Sequence, residues 1–464
     1  MLKNSILFLI IIIFIFVTCK KQETPQVADS TERSAAAPEW AKNANIYEVN
    51  IRQYTPEGTF NAFATHLPRL RDMGVDILWL MPIFPISEKN RKGSLGSYYA
   101  VSDFTKVNPA FGTMDDFQAL LQQAHELGMK IILDWVPNHT GWDHHWIETH
   151  PEYYTRDADG NIIDPIDPKT GESWGWTDVA DLNYDNPDLR QAMIADMRFW
   201  LEKIGTDGFR CDVASEVPDD FWAEAVPQLR AVRPDLFMLA EAEHPPHRNE
   251  EWFAMSYAWS FHHLMNEIAQ GKKKASAIDA WLQADQQKFK KGYHMHFITN
   301  HDENSWNGTE YERMDNAVDA MAVLSFTLDG MPLIYSGQEA AFNRRLKFFE
   351  KDEIDWGNFS KQAFYTTLIA LKHNNQALWN GADGGRPVRI KTGSDEQVYA
   401  FYRKKNNDKA IIILNLGNTP QEIILNDENV LGDYNNIFGN STISISKGAT
   451  MQLKPWGYVV LSNK

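Results

Sequence analysis

MDDFQALLQQAHELGMKIILDWVPNH (residues 114–139) runs from an amphipathic helical stretch, Met114 to Leu127, into a short apolar strand, Lys130-Ile131-Ile132-Leu133-Asp134. Ile77-Leu78-Trp79-Leu80 reads as the strand before that helix, so the order is strand, helix, strand. Such alternation predicts a parallel sheet with helical crossovers. The rhythm begins at Ile46-Tyr47-Glu48-Val49, with helical spacing from Phe60 to Met73 before Gly74. It resumes at Gly208 to Asp212, Phe237 to Glu241, Met255 to Phe261, His296 to Thr299 and Leu333 to Tyr335. Eight such strands make the expected fold class α/β, a (β/α)₈ TIM barrel spanning 39–379.

Two intervals break the pattern. Between the third strand and a helix starting near Asn186 lies a stretch rich in Trp, Asp, Pro and Gly, read as an inserted subdomain at about 138–185. Past Asn380 the chain turns to alternating short strands such as Val398–Tyr402 and Ala410–Leu414, so 380–464 is expected to form a C-terminal antiparallel β-sandwich.

The N-terminus reads as an address. Lys3 precedes the apolar run Ile6 to Val17, which is shorter than the roughly 20 residues of a membrane span and has the length of a signal-peptide core. Residues 1–19 are therefore expected to be a signal ending at Cys19, and 20–38, polar and without periodicity, a tether. A disulfide between Cys19 and Cys211 is not expected from such an arrangement.

Sixty-two Asp and Glu against 45 Lys and Arg give a net charge of -17, with no long basic run. That excludes a nucleic-acid partner, because phosphate is bound by clustered Lys and Arg. Sixteen Trp and 16 Tyr suit a carbohydrate cleft, where flat C–H faces of sugars stack on rings, although any single ring is more simply core.

In a parallel barrel the reactive groups sit where strands end. Acidic and His residues cluster there: Asp134 with Asn138 and His139, Arg210 with Asp212, Glu241, and His301 with Asp302. Charges ending apolar strands are costly unless paired or functional. Several carboxylates on one rim point to glycoside hydrolysis, which needs one acid to protonate the leaving oxygen and one carboxylate to attack. Arg210 and Asp212, two apart on a strand, share a face, so the guanidinium can keep Asp212 ionised and oriented. Glu241 follows apolar Phe237 to Ala240, where desolvation raises a carboxyl's pKa as a general acid requires. Asp302 is left to stabilise the cationic transition state.

The segments DWVPNH (134–139), GFRCD (208–212), LAE (239–241) and NHD (300–302) resemble the four ordered signature regions of the α-amylase family, glycoside hydrolase family 13. VADLNYDNP (179–187) resembles its fifth region, and SYYAVSDFTKVNPAFGT (97–113) and GMPLIYSGQE (330–339) match further stretches common there. The resemblance implies a retaining enzyme acting on α-linked glucose, with Asp212 as nucleophile, Glu241 as acid/base and Asp302 as stabiliser. Tyr99, His139, Arg210 and His301 fall at its substrate-binding positions. The Asp212 and Glu241 carboxyls are expected roughly 5–5.5 Å apart. Maltooligosaccharides or starch-like α-glucan are the implied substrates; a transglycosylase, a disaccharide-specific α-glucosidase and a non-catalytic glucan-binding relative stay open as alternatives.

The family also implies a structural Ca²⁺, for which Asn138 and Asp181 occupy two usual ligand positions, while Glu216 stands where a histidine often lends its carbonyl. No organic cofactor is implied. Phe16-Val17-Thr18-Cys19 resembles a bacterial lipoprotein signal, which implies lipidation of Cys19 and a membrane-anchored protein of the bacterial cell envelope; a cleaved, secreted soluble form is the alternative. Other motifs read as structural: Asp157-Ala158-Asp159-Gly160-Asn161 as a turn rather than a calcium loop, His144-His145 and His262-His263 as packing or sugar-contacting, Cys211 as packing, and Glu243 as a decoy beside Glu241.

Overall fold

The structure is a computed structural model and describes residues 36–167, 169–439 and 441–464. Cys19, the signal-like segment 1–19 and most of the tether lie outside the described residues.

Eight parallel strands close into a barrel in the order β1, β10, β9, β8, β7, β6, β3, β2. They are β1 (Ile46–Val49), β2 (Ile77–Leu80), β3 (Lys130–Trp135), β6 (Gly208–Cys211), β7 (Phe237–Ala240), β8 (Met255–Tyr257), β9 (Tyr293–His296) and β10 (Met331–Tyr335). The seventh barrel strand is displaced from its expected place: it ends at His296, so Phe297 to Thr299 belong to the turn beyond it. The sixth strand stops at Tyr257, because Trp259–Ala269 is already helix.

Strand periodicity sorts each strand's residues between two cores. Ile77, Trp79, Ile132, Phe237, Leu239, Met295 and Leu333 share the barrel interior. Leu78, Leu80, Ile131, Leu133, Phe209, Cys211, Met238 and Ala240 pack outward, in the layer shared with the helices. The same alternation puts Glu48, Asp134, Arg210, Asp212 and Glu241 in phase with the interior set, at the ends of their strands. Gly208 is required there: a Cβ would meet the Phe237 carbonyl oxygen at 1.9 Å, so β6 and β7 approach closely only without a side chain.

The helix Met114–Glu126 starts on a reciprocal cap between Thr113 and Asp116, and Pro187–Phe199 starts on Asn186, whose side chain accepts from Asp188 and Leu189 N–H. Between β3 and that second helix, β4 (His139–Gly141) and β5 (Val179–Asp181) pair antiparallel with His139 opposite Asp181. The Asp157–Asn161 segment is a tight turn, with Gly160 N–H donating to the Asp157 carbonyl.

The C-terminal strands are β11 (Val388–Ile390), β12 (Val398–Lys405), β13 (Asp408–Asn415), β14 (Gln421–Leu425), β15 (Gly432–Asn436), β16 (Ser441–Ile445), β17 (Ala449–Leu453) and β18 (Tyr458–Ser462). Six form an antiparallel sheet ordered β11, β12, β13, β18, β15, β16, and β14 pairs with β17. Ile411, Ile413 and Leu461 of the large sheet share a core with Ile423, Leu425 and Leu453 of the small one. Tyr399, Phe401, Ile412 and Leu414, on the opposite face, join the barrel's outer core.

Candidate active site

The mouth of the barrel is organised by Arg210. Its side chain is fully buried, and Nη1 donates to Asp134 Oδ1 at 2.8 Å and to Asp212 Oδ1 at 2.7 Å. Nη2 lies 2.8 Å from Glu241 Oε1, an ion pair without hydrogen-bond alignment, and Nε donates to Tyr257 Oη at 3.1 Å. Asp212 and Glu241 thus occupy neighbouring nitrogens of one rigid fork. A planar guanidinium fixes both carboxyl groups relative to each other in a way a lysine could not.

Asp134 sits beneath them with no exposed surface, accepting also from Trp79 Nε1 at 3.1 Å and Tyr99 Oη at 3.0 Å. Burial pushes its pKa up to about 7, against the opposing pull of Arg210. For Glu241, burial followed by the Asp212 and Asp302 charges outweighs Arg210 and pushes the pKa up to about 8. Its Oε2 accepts a 2.8 Å hydrogen bond from Val213 N–H. Val213 holds φ 35°, a left-handed backbone unfavourable for a β-branched residue and costing about 1–3 kcal/mol. That twist directly follows Asp212 and turns its N–H toward Glu241.

Across the mouth, His301 Nδ1 donates to Glu48 Oε1 at 2.6 Å, Nε2 lies 2.7 Å from Tyr99 Oη and 3.4 Å from Asp302 Oδ2. Burial opposes a charged ring, yet Asp302 and Glu48 outweigh it and raise His301 to about 9. The imidazolium donates from both nitrogens, so the Tyr99 hydroxyl accepts from Nε2 and donates its own hydrogen bond to Asp134. Tyr99 and His301 stack at 5.6 Å between ring centroids.

These groups line one cavity of about 410 Å³: Tyr99, His139, Asp212, Glu241, His301 and Asp302 all border it. Trp176, Trp306, Phe348 and Phe349 form its aromatic walls. Lys92 reaches across to the insert, bonding Asp178 Oδ1 at 2.8 Å and the Gly175 carbonyl at 3.0 Å. Every expected catalytic and sugar-contacting residue is brought together, with Arg210 buried just below. Glu243 turns away and accepts from Ser260 N–H and Oγ. Cys211 faces the outer core. His262 belongs to a different network, with its Nε2 3.1 Å from Glu303.

The sequence reading passed over two participants. Glu48 carried a signal, a lone acid in the apolar strand IYEV, two residues beyond inward-facing Ile46. Val213 carried none, because nothing in a valine announces a left-handed backbone.

Asn138 and Asp181 meet at the pairing of β4 and β5, where Leu182 N–H donates to the Asn138 carbonyl. Burial raises Asp181 to about 6, and Asp164 and Glu216 push the same way. Oxygen donors that crowd one another's charge fit a hard cation.

The alpha-amylase catalytic domain matches residues 27–377, three-quarters of the chain. The chain belongs to the alpha-amylase family of glycoside hydrolases. The C-terminal domain of the alpha-amylase SusG matches 398–460. This alpha-amylase family member is 28% identical to the alpha-amylase MalA of Haloarcula japonica, over 90% of its own length and 62% of that protein's. Among solved structures, an alpha-amylase from Lactobacillus plantarum superposes with a TM-score of 0.80 at 29% identity, covering 92% of this chain and all of that one. A noncanonic maltogenic alpha-amylase, AmyB from Thermotoga neapolitana, gives 0.81 at 27% identity, covering 91% and 99%.

Proposed function

We propose that the protein is a retaining hydrolase that cleaves α-1,4-glucosidic bonds in maltooligosaccharides or starch-like α-glucan. The observation that carries this reading is the single guanidinium holding Asp212 and Glu241 side by side in a cavity that Asp302 also borders.

The chemistry follows from those positions. Asp212 Oδ attacks the anomeric carbon as Glu241, protonated at neutral pH, gives its proton to the departing glycosidic oxygen. A glycosyl ester on Asp212 results. Glu241, now a carboxylate, takes a proton from water as that water attacks the anomeric carbon and releases Asp212. Asp302 faces the positive charge that develops on the ring, charged His301 borders the same sugar, and Arg210 holds the two carboxyl groups from below. The cavity is small, walled on one side by the Lys92–Asp178 bridge, which suits short chains ending in the site. The maltogenic relative's name agrees with that reading.

Incubation with a maltooligosaccharide series, followed by product analysis, tests the proposal. Glucose and short maltosides are expected. Longer or rearranged products assign transglycosylation instead, and unchanged substrate removes catalysis altogether.

Two further assignments belong to this reading. Asn138 and Asp181 would hold a structural Ca²⁺ joining insert to barrel, a cation that offsets the charge Asp164 and Glu216 press on Asp181 and takes no part in bond breaking. EGTA is then expected to lower the melting temperature and Ca²⁺ alone to restore it; an unchanged transition contradicts the ion. Cys19 would carry a lipid that keeps the enzyme at the bacterial envelope. Cys19→Ala should move the protein from the membrane fraction to the soluble one, and an unaltered distribution argues against the anchor.

A further inference from the structure

The segments that follow β6 and β7 meet again outside the catalytic cavity. Asp219 opens the helix Asp219–Val232, His244 precedes the short helix Pro245–Asn249, and His247 lies three residues further on. One side-chain ligand atom from each lies within 4.8 Å of the other two. His244 Nε2 is 2.9 Å from Asp219 Oδ2, and His247 Nε2 is 3.7 Å from Asp219 Oδ1.

An exposed ion pair between Asp219 and His244 would account for those two residues. It leaves His247 unexplained. That ring is fully buried, packed on Phe253 at 4.9 Å between centroids and on Trp222 at 6.4 Å, and neither of its nitrogens has a hydrogen-bond partner among the described residues. Buried polar groups are rarely left unmet, and an imidazole aimed at a half-exposed carboxylate and a second imidazole has an evident use.

We propose that Asp219, His244 and His247 form a binding site for a divalent transition metal, with Zn²⁺ as the best-suited ion. Two imidazoles and one carboxylate are borderline donors that match Zn²⁺ rather than the all-oxygen shells of Ca²⁺ or Mg²⁺. Metal–ligand bonds of about 2.0–2.2 Å set tetrahedral ligand atoms roughly 3.4 Å apart. The observed 2.9 and 3.7 Å separations bracket that value. Asp219 and His244 side chains are 43% and 37% exposed, which gives the ion an approach and leaves a fourth position to water. Asp219 is seven residues beyond Asp212 and His244 three beyond Glu241, so the ion would clip the nucleophile's loop to the acid's loop.

Full-length protein stripped of metal, then titrated with Co²⁺ and with Zn²⁺, tests the site. One ion per chain is expected, with visible Co²⁺ absorption that Zn²⁺ abolishes and a Zn²⁺-dependent rise in melting temperature. Asp219→Asn and His244→Gln alter half-exposed side chains and keep the core intact. Each is expected to weaken Zn²⁺ by more than the roughly 10–100-fold that changing an outer partner costs. Absence of stoichiometric uptake by the unaltered protein, or undiminished binding in either variant, overturns the proposal.

Discussion

Glu241 meets both demands of a general acid at neutral pH: it is within reach of the reacting bond and it holds its proton. Burial and two neighbouring carboxylates raise its pKa to about 8, so the acid form prevails below that value and is lost above it. The alkaline limb of kcat/KM is therefore expected near pH 8, measured on a short maltooligosaccharide. Glu241→Gln is expected to cost about 10²–10⁴-fold in kcat and to abolish that limb, whereas the change Glu243→Gln, at a carboxylate bonded to Ser260 away from the cavity, keeps most activity. The reverse result would reassign the acid. Glu48 acts through His301, whose charge it sustains by a 2.6 Å bond. A hydrogen bond to a charged group contributes about 1.5–3 kcal/mol, so Glu48→Gln should reduce kcat/KM by about ten- to a hundredfold. It should also lower the His301 pKa below about 9, readable by NMR titration; an unmoved titration would contradict the role.

At the scale of elements, the site depends on β6 and β7 lying close enough for one arginine to hold carboxylates from both. Gly208 sets that approach. Gly208→Ala places a Cβ 1.9 Å from the Phe237 oxygen, and the strands must part. Overpacking of this kind costs about 1–3 kcal/mol, so urea unfolding should show that loss with kcat falling beyond it. Equal stability and activity would contradict the close-approach argument. Much of this was legible in the chain, because strands buried on both faces read as apolar runs and the polar exceptions stand out at their ends. Asp134, Asp212 and Glu241 were visible for that reason. The seventh strand was read three residues late, since apolar Phe297 and Ile298 are buried in the turn after His296 and look like strand. The Asp219–His244–His247 cluster escaped notice because its members come from two segments, which only the barrel's closure brings together.

For the whole molecule, the C-terminal sheet is part of the catalytic domain's support. Tyr399, Phe401, Ile412 and Leu414 cover the barrel's outer core, and buried Arg403 donates to the Thr327, Leu328 and Trp379 carbonyls. Truncation before Val388 is expected to yield aggregated protein, since it bares that apolar layer and strands those carbonyls; a soluble, fully active truncation would show the domain to be dispensable. The retaining mechanism requires Asp212, Glu241 and Asp302 to close around one sugar ring, with Asp212 making the covalent bond. The most direct measurement is mass spectrometry of peptides from enzyme trapped with a slow fluorinated α-glucosyl fluoride. A single glucosyl adduct on Asp212 is predicted; an adduct on another residue, or none while the reagent is turned over with inversion, would contradict it.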